Sequence, residues 1–207
     1  MSTISSEDVE CSRCHRMLKF TVFESLNVSL DPEYKEKVLD LSAFRMRCPD
    51  CGHITTLQYG FLYHDMKQHY MINVCWNSHD LFQSDDPYLK HFAAGLKADP
   101  PYRFRNVLDY QQLVEKIHIF DAGLNDYAVE ILKAAYRDQM EISTDQEFVF
   151  RRGQADELVF VTTGPDGTEK EIVTNLYPET LLQIAPSLPP ENQHRFISEL
   201  IFRQLAK

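Results

Sequence analysis

Apolar and polar residues alternate with a period of two along much of the first 75 residues, which is the pattern of half-buried strands. The pattern predicts strands over residues 19–30, 44–47, 54–63 and 69–76. A short helix over residues 32–41 interrupts them, because Asp31 followed by Pro32 supplies an N-cap and a first helical residue.

The period changes after Val107, where two helices are predicted. Asp109 can cap the first helix, which Gly123 ends, and Asn125 can cap a second one over residues 126–139. So short a connection between two helices predicts an antiparallel hairpin. Four charged residues on these helices, Glu115, Lys116, Glu130 and Lys133, are expected to form solvated flanks with weak ion pairs.

Strand patterns return after residue 140. Residues 147–152, 157–163 and 169–174 predict a meander, and GPDG joins its last two strands. Residues 177–185 and 191–207 follow as predicted helices separated by prolines. Residues 77–102 are rich in turn formers and predict an irregular segment.

These elements predict an α+β protein. Its parts are a β-rich N-terminal unit with an inserted strand and helix, a helical hairpin, and a C-terminal β-meander with helices. Two C-x-x-C pairs, at residues 11–14 and 48–51, make the N-terminal unit zinc-ribbon-like. The change of pattern near residue 142 places a domain boundary there, between residues 1–142 and residues 143–207.

Two C-x-x-C pairs, Cys11 with Cys14 and Cys48 with Cys51, carry the strongest chemical signal in the sequence. Two thiolates at this spacing fit one side of a tetrahedral metal ion, and two such pairs complete a shell without an open position. The sequence therefore predicts one structural Zn²⁺ ion. A rubredoxin-type iron centre, disulfides and free thiols are the chemical alternatives.

The second pair has the better turn chemistry. Pro49 presets the turn, and Gly52 can take the left-handed conformation beyond the second ligand, which leaves backbone N–H groups to point at the sulfurs. The first pair lacks both residue types. His15 and His53 flank the pairs; either could replace a cysteine in a Cys₃His shell, but with four cysteines present both are interpreted as supporting or solvated groups.

The cysteine count also bears on compartment. Five cysteines, four of them at metal-binding spacing, favour a reducing environment over a secreted disulfide scaffold. The fifth, Cys75, lies in an apolar run and is expected to be buried. The first ten residues lack a signal-peptide pattern, and no apolar run approaches the roughly 18 residues that span a bilayer. We therefore expect a cytoplasmic protein with no membrane segment.

Net charge argues against nucleic acid as a partner. The chain carries a formal charge of −10, and −8 of it falls after residue 75. Such a surface repels a phosphate backbone unless a local basic patch overrides it, and the short pairs Arg45/Arg47 and Arg151/Arg152 do not form one.

One acid-base pair is a candidate for catalysis. His64 precedes Asp65, and a carboxylate beside an imidazole can orient it for proton transfer. Neighbouring residues on a strand face opposite sides, however, and an aspartate in a turn usually caps local N–H groups, so a structural turn is the simpler interpretation. The sequence contains no nucleophile elbow, P-loop or dinucleotide-binding glycine motif.

Several segments together resemble the bacterial and archaeal CpXC domain family over roughly residues 9–140. They are CPDCGH at 48–53, SLNVSLDPEYKEKVL at 25–39, LYHDM at 62–66 and NDYAVEILK at 125–133. The first pair departs from the motif that names the family, since Ser12 stands in the place of its proline. The resemblance implies the four cysteines as a unit and no particular activity.

Three hypotheses for function follow. The first is a non-enzymatic, zinc-stabilised interaction or adaptor protein that acts through a protein partner or as a homo-oligomer. The second is an enzyme with a site near His64 and Asp65. The third is a zinc ribbon that binds nucleic acid.

Overall fold

Ten strands and four α-helices lie within residues 2–75, 99–190, 194 and 196–199, which a computed structural model describes. The chain divides into two units, Met1–Val114 and Glu115–Lys207. Helices and three separate sheets make the protein α+β, as predicted. The domain boundary near residue 142 stays a prediction.

The first unit is dominated by strands. They are β1 (Thr3–Glu10), β2 (Met17–Asn27), β3 (Arg45–Arg47), β4 (Ile54–Thr56), β5 (Phe61–Asp65), β6 (Tyr70–Val74) and β7 (Arg103–Val107). One short helix, α1 (Glu33–Leu39), follows β2. A five-stranded sheet has the order β1-β2-β5-β6-β7, while β3 and β4 pair with each other.

The five-stranded sheet is mixed. β1 and β2 are antiparallel, as are β5 and β6, whereas β2 runs parallel to β5 and β6 runs parallel to β7. β2 is a strand as predicted, but its burial does not follow strict alternation: Phe20, Phe23 and Leu26 are buried at intervals of three, with Thr21 and Glu24 exposed between them. β1 was not predicted, and it forms one edge of the sheet.

A cluster of aromatic side chains lies next to the β3–β4 hairpin. Phe44, which directly precedes β3, stacks on Tyr110 with ring centroids 3.8 Å apart. Tyr59 and Phe61 complete the cluster, and the Tyr110 hydroxyl accepts a hydrogen bond from the Tyr59 backbone N–H at 2.9 Å. Burial raises the pKa of Tyr110 to about 12, so the phenol stays protonated and anchors the chain after the hairpin.

The second unit contains the predicted helices and meander. α2 (Tyr110–Asp121) begins in the first unit and continues into the second, which also contains α3 (Asp126–Gln139), β8 (Phe148–Gln154), β9 (Glu157–Thr163), β10 (Glu169–Thr174) and α4 (Tyr177–Ile184). The three strands form an antiparallel sheet in the order β10-β9-β8, which confirms the meander.

The helix ends follow the predicted chemistry. The Asp109 carboxylate accepts from the Gln112 N–H at 2.8 Å, and Asn125 accepts from the Ala128 N–H at 3.2 Å. Gly123 takes the left-handed conformation that ends α2. The predicted cap at Asp31 is not formed. The Asp31 side chain accepts a hydrogen bond from the Ser2 hydroxyl and makes no capping hydrogen bond to α1.

The four charged residues predicted to be solvated are in fact buried, so that prediction is wrong. Glu115, Lys116, Glu130 and Lys133 are each at most 5 % exposed. Lys116 Nζ lies 2.7 Å from Glu130 Oε1, and Lys133 Nζ lies 2.8 Å from both Glu115 carboxylate oxygens. Residue 115 therefore meets residue 133 and residue 116 meets residue 130, as an antiparallel arrangement of α3 against this part of α2 requires.

Further contacts extend this buried ionic network, which comprises Glu115, Lys116, Glu130 and Lys133. The Phe150 N–H donates to Glu115 at 2.6 Å, which attaches β8 to the network. The Glu199 N–H donates to Glu130 at 3.0 Å, and the Glu199 carboxylate pairs with Arg137 at 2.7 Å. Helix periodicity missed the network because the other face of the helices packs against protein as well.

Two predicted elements fall largely outside the described residues. They are the irregular segment at 77–102, of which only 99–102 are described, and the helix at 191–207. Within the described parts of the chain, none of the helices combines the length and apolar character needed to cross a bilayer.

Candidate metal centre

The two cysteine pairs lie at the ends of two β-hairpins and have the same local backbone structure. At the end of the β1–β2 hairpin, the Cys11 N–H donates to the Arg16 carbonyl at 2.8 Å and the His15 N–H donates to the Cys11 carbonyl at 2.9 Å. At the end of the β3–β4 hairpin, the Cys48 N–H donates to the His53 carbonyl and the Gly52 N–H to the Cys48 carbonyl at the same two distances, 2.8 and 2.9 Å. We call each of these turns a knuckle.

The residue after the second cysteine is left-handed in both knuckles. Gly52 has φ +70° and nothing within 4 Å of a Cβ at that position, as its residue type predicts. His15 has φ +60°, a conformation that is uncommon for residues other than glycine, although histidine is among the residue types enriched there. The first knuckle therefore reaches the same geometry without glycine and without the proline that Ser12 replaces.

The knuckles bring all four sulfurs together. Cys11 Sγ lies 3.7 Å from Cys51 Sγ, Cys14 Sγ lies 3.5 Å from Cys48 Sγ, and all four Sγ atoms lie within 4.8 Å of one another. A tetrahedral ion with metal–sulfur bonds of about 2.3 Å requires sulfur–sulfur separations of about 3.8 Å. A disulfide requires about 2.05 Å, so the observed spacing fits a shared metal ion and not a covalent bridge.

Backbone N–H groups lower the pKa of the first cysteine in each knuckle. Those of Cys14 and Arg13 lower the pKa of Cys11 to about 6, and those of Cys51 and Asp50 lower the pKa of Cys48 in the same way. Thiolates are the ligating form, so both knuckles favour metal binding before the ion arrives. For the second pair, this agrees with the prediction that backbone N–H groups point at the sulfurs; for the first pair, which lacks the proline and the glycine, the sequence makes no such prediction.

Cys14 behaves differently. The Arg16 N–H lowers the pKa of Cys14, but thiol contacts with Cys48 and with the other two cysteines, together with burial, outweigh it and raise that pKa to about 12. A proton shared among four crowded sulfurs has this effect, because neighbouring thiolates cannot all ionise without a cation. A metal ion held by the four sulfurs would supply the missing positive charge.

One ion pair links the knuckles directly. Arg16, which follows the first pair, donates through Nη1 to the Asp50 carboxylate inside the second pair. The pair is half exposed and contributes little stability by itself. Its guanidinium also lies near Cys14 and Cys48, where its positive charge opposes the net negative charge of a four-thiolate centre.

Neither flanking histidine belongs to the sulfur cluster. The His15 ring contacts the exposed Glu10 carboxylate through Nδ1, 2.5 Å away. The group that could hold an ion consists of the four cysteines. The fifth cysteine, Cys75, is 4 % exposed, which confirms its predicted burial.

His64 and Asp65 are adjacent at the end of β5 but have different partners. Nδ1 of His64 lies 3.3 Å from the Asn27 amide nitrogen, and Nε2 lies 3.1 Å from the Tyr102 hydroxyl. Burial lowers the pKa of His64 to about 4, so the imidazole is neutral at physiological pH. By these two distances, each ring nitrogen of His64 lies within hydrogen-bonding range of one neighbouring side chain.

Asp65 organises the turn between β5 and β6. Its carboxylate accepts from the backbone N–H groups of Lys67 at 3.0 Å and Gln68 at 3.1 Å, from the Ser29 hydroxyl at 3.1 Å, and from Lys35 Nζ at 3.4 Å. This is the capping role that an aspartate in a turn usually has. A partly open pocket of about 180 Å³ in the first unit is lined by residues 58–59, 74–75 and 108–110, and neither His64 nor Asp65 contributes to it.

A pair of substitutions at Asp65 separates turn capping from a role of its charge. Asp65→Asn keeps an acceptor oxygen for the two turn N–H groups and is expected to cost about 1 kcal/mol of unfolding free energy, whereas Asp65→Ala removes it and is expected to cost about 2 kcal/mol. Urea denaturation of both variants measures the difference. Equal losses in the two variants would mean that the carboxylate charge, and not capping, is what the fold requires.

Comparison with known proteins identifies one family. The family described as CpXC protein matches residues 9–133, which is more than half of the 207-residue chain and includes both knuckles. No curated protein and no solved structure matches the chain. The match covers the cysteines and the segments noted in the sequence, and it ends within α3. The chain therefore belongs to the CpXC family.

Proposed function

We propose that this chain is a zinc-stabilised, non-enzymatic interaction protein whose four-cysteine centre has a structural role. The observation that carries the proposal is the sulfur arrangement, in which two matching knuckles hold Cys11, Cys14, Cys48 and Cys51 within 4.8 Å of one another, two of the separations being 3.5 and 3.7 Å, near the value of about 3.8 Å for a tetrahedral ion. Four thiolate ligands favour Zn²⁺, and they leave it no open position for a substrate or a water nucleophile.

The metal would act by joining two hairpins that are separate in sequence. The β3–β4 hairpin has only three residues in each strand, which is too short to be stable alone. An ion shared with the end of the β1–β2 hairpin would fix its position, much as a structural zinc does in small domains. We assign the surface around this centre to binding a protein partner, in the cytoplasm, with nucleic acid disfavoured by the charge of −10.

Elemental analysis of the freshly purified, reduced protein tests this proposal. We expect close to one zinc per chain, with all four cluster thiols protected from a thiol reagent until a chelator removes the metal. The quadruple Cys→Ser variant of the cluster is the control and should contain none. One iron per chain in place of zinc would indicate an electron-transfer centre and not a structural one. A folded protein that contains no metal would refute the proposal.

A further inference from the structure

Among the described residues of the chain, no further strand pairs with the outer edge of β1. β1 is the terminal strand of the five-stranded sheet, and six of its eight residues are exposed. Its pairing with β2 is regular from Ile4 to Glu10, with the one irregularity lying before Ile4. A long, exposed edge strand is a template on which another strand can pair.

The register identifies which backbone groups face outward. The Cys11 N–H donates to the Arg16 carbonyl, and Val9 lies opposite Leu18 in the same register. Since antiparallel pairs alternate between hydrogen-bonded and non-bonded, the N–H and C=O groups of Val9, Glu7 and Ser5 face β2. Those of Ser6, Asp8 and Glu10 therefore face away from the sheet, as three donor and acceptor sites about 7 Å apart.

Proteins usually prevent an exposed edge strand from pairing with other chains, and β1 lacks most of the sequence features that do so. From Ile4 to Glu10 it contains no proline, no lysine and no bulge. Its charged side chains are all acidic, namely Glu7, Asp8 and Glu10. Asp8 is paired with Lys19 at 2.8 Å and Glu10 contacts His15, whereas Glu7 contacts only the nearby Ser5 hydroxyl among the described residues.

The acidic residues decide which strand can be added. A second copy of β1 would bring another Glu7, Asp8 and Glu10 against the first set, and like charges on neighbouring strands are destabilising. A basic strand would place the Cβ atoms of its lysine or arginine residues about 4.5–5.5 Å from those of the acidic residues opposite them, within reach of ion pairing. At the end of β1, the same strand would pass a cysteine cluster that carries net negative charge when it binds a divalent ion.

We propose that the edge of β1 from Ser6 to Glu10 binds an extended, basic segment of a protein partner, which adds to the sheet as a sixth strand. This rests on the proposed function as an interaction protein and names where the partner binds and what chemistry it has. Main-chain hydrogen bonds supply affinity in this mode of recognition, and the alternate side chains supply selectivity.

Fluorescence anisotropy with a labelled nonapeptide, in which lysine alternates with valine or threonine, tests the proposal on the zinc-loaded full chain at about 0.15 M salt. Two control peptides separate charge from strand addition: one has glutamate in place of lysine, and the other keeps the lysines but has a central proline. We expect binding of the first peptide and at least tenfold weaker binding of both controls. Equal binding of the proline-containing peptide would mean that charge alone attracts the ligand, and would overturn strand addition.

Ser6→Pro is the matching change in the protein. It removes an outward N–H while leaving the bonds to β2 in place, because proline is tolerated where its nitrogen faces solvent on an edge strand. We expect Ser6→Pro to weaken peptide binding at least tenfold and Ser6→Ala to leave it unchanged. Circular dichroism and zinc content should be those of the wild type in both variants.

The outcomes separate the two proposals. Zinc-loaded, folded protein that binds none of the peptides would refute the β1 site and leave the structural zinc standing, whereas absence of zinc would count against the proposed function whether or not the peptide binds. Sedimentation velocity of the protein without peptide shows whether two copies of the chain form a dimer. A dimer that Ser6→Pro dissociates would assign the edge to a second copy of this chain, and would overturn the basic partner.

Discussion

Cys48→Ser is expected to abolish stoichiometric metal binding and to lower the unfolding free energy of the first unit by about 3 kcal/mol or more. Structural zinc contributes roughly 10–16 kcal/mol of apparent binding free energy in small peptides. The five-stranded sheet of this unit has a core of its own, so we expect loss of the metal to cost only a part of that free energy in this protein. Cys48 is the buried first cysteine of its knuckle, and its N–H bond to His53 holds the β3–β4 hairpin closed.

Cys75→Ala is the matched control for this prediction. It removes a buried thiol outside the sulfur cluster and should cost about 1 kcal/mol without changing zinc content. Thermal unfolding with and without a chelator measures both variants, and the chelator should reproduce the loss in the wild type but add nothing to Cys48→Ser. Normal zinc content in Cys48→Ser would exclude this residue as a ligand.

Glu130→Gln is expected to be the most damaging single carboxylate change in the second unit, with a loss of about 3–5 kcal/mol of unfolding free energy. Glu130 lies between two buried ammonium groups, 2.7 Å from Lys116 Nζ and 3.3 Å from Lys133 Nζ. The amide of glutamine keeps the volume but removes the negative charge, which leaves two buried cations with less neutralisation.

The pH dependence of the loss has a definite sign. Burial by itself raises the pKa of Glu130, but Lys116 and Lys133 outweigh burial and hold it below the ordinary value. An unfolded glutamate titrates at about 4.3, so this group stabilises the fold above that pH and the contribution disappears as the pH falls through its lower folded pKa. Glu130→Gln should therefore lose stability at neutral pH and depend less on pH in the acid range than the wild type.

Glu115→Gln is the matched control, since this carboxylate belongs to the same network. Burial raises the pKa of Glu115 despite its contact with Lys133, so its ionised form is costly to keep at neutral pH. Glutamine still offers an acceptor oxygen to the Phe150 N–H. We expect a smaller loss than for Glu130→Gln in urea denaturation from about pH 4 to pH 8, and the reverse order would refute the assigned directions of the two pKa values.

The sequence was sufficient where the controlling interactions are local. The spacing within each cysteine pair, the left-handed turn at Gly52 and the caps at Asp109 and Asn125 depend on residues within a few positions of each other. The meander from Phe148 to Thr174 was also predictable, since its strands are short runs that contain β-branched and aromatic residues and are joined by short turns. The family resemblance relied on the same local motifs.

Tertiary structure decided what depends on distant partners. β1 contains only two apolar residues, Ile4 and Val9, whose odd spacing places them on opposite faces, so no alternation reveals it and its strand conformation follows from pairing with β2 on one side. The parallel pairing of β2 with β5 joins segments separated by more than thirty residues. His15 takes a left-handed conformation in a turn that the Cys11 N–H to Arg16 carbonyl and His15 N–H to Cys11 carbonyl bonds close, and nothing in its residue type required it.

The buried ionic network shows the same limit most clearly. Periodicity marked Glu115, Lys116, Glu130 and Lys133 as solvent-facing, and charge alone supports that interpretation. They are buried because each ammonium finds carboxylates on the facing helix and because β8 and Glu199 cover them with backbone N–H groups. A sequence states which charges exist, but only the packing of α2, α3 and β8 determines which of them share a site away from water, and that sharing is what makes their burial tolerable.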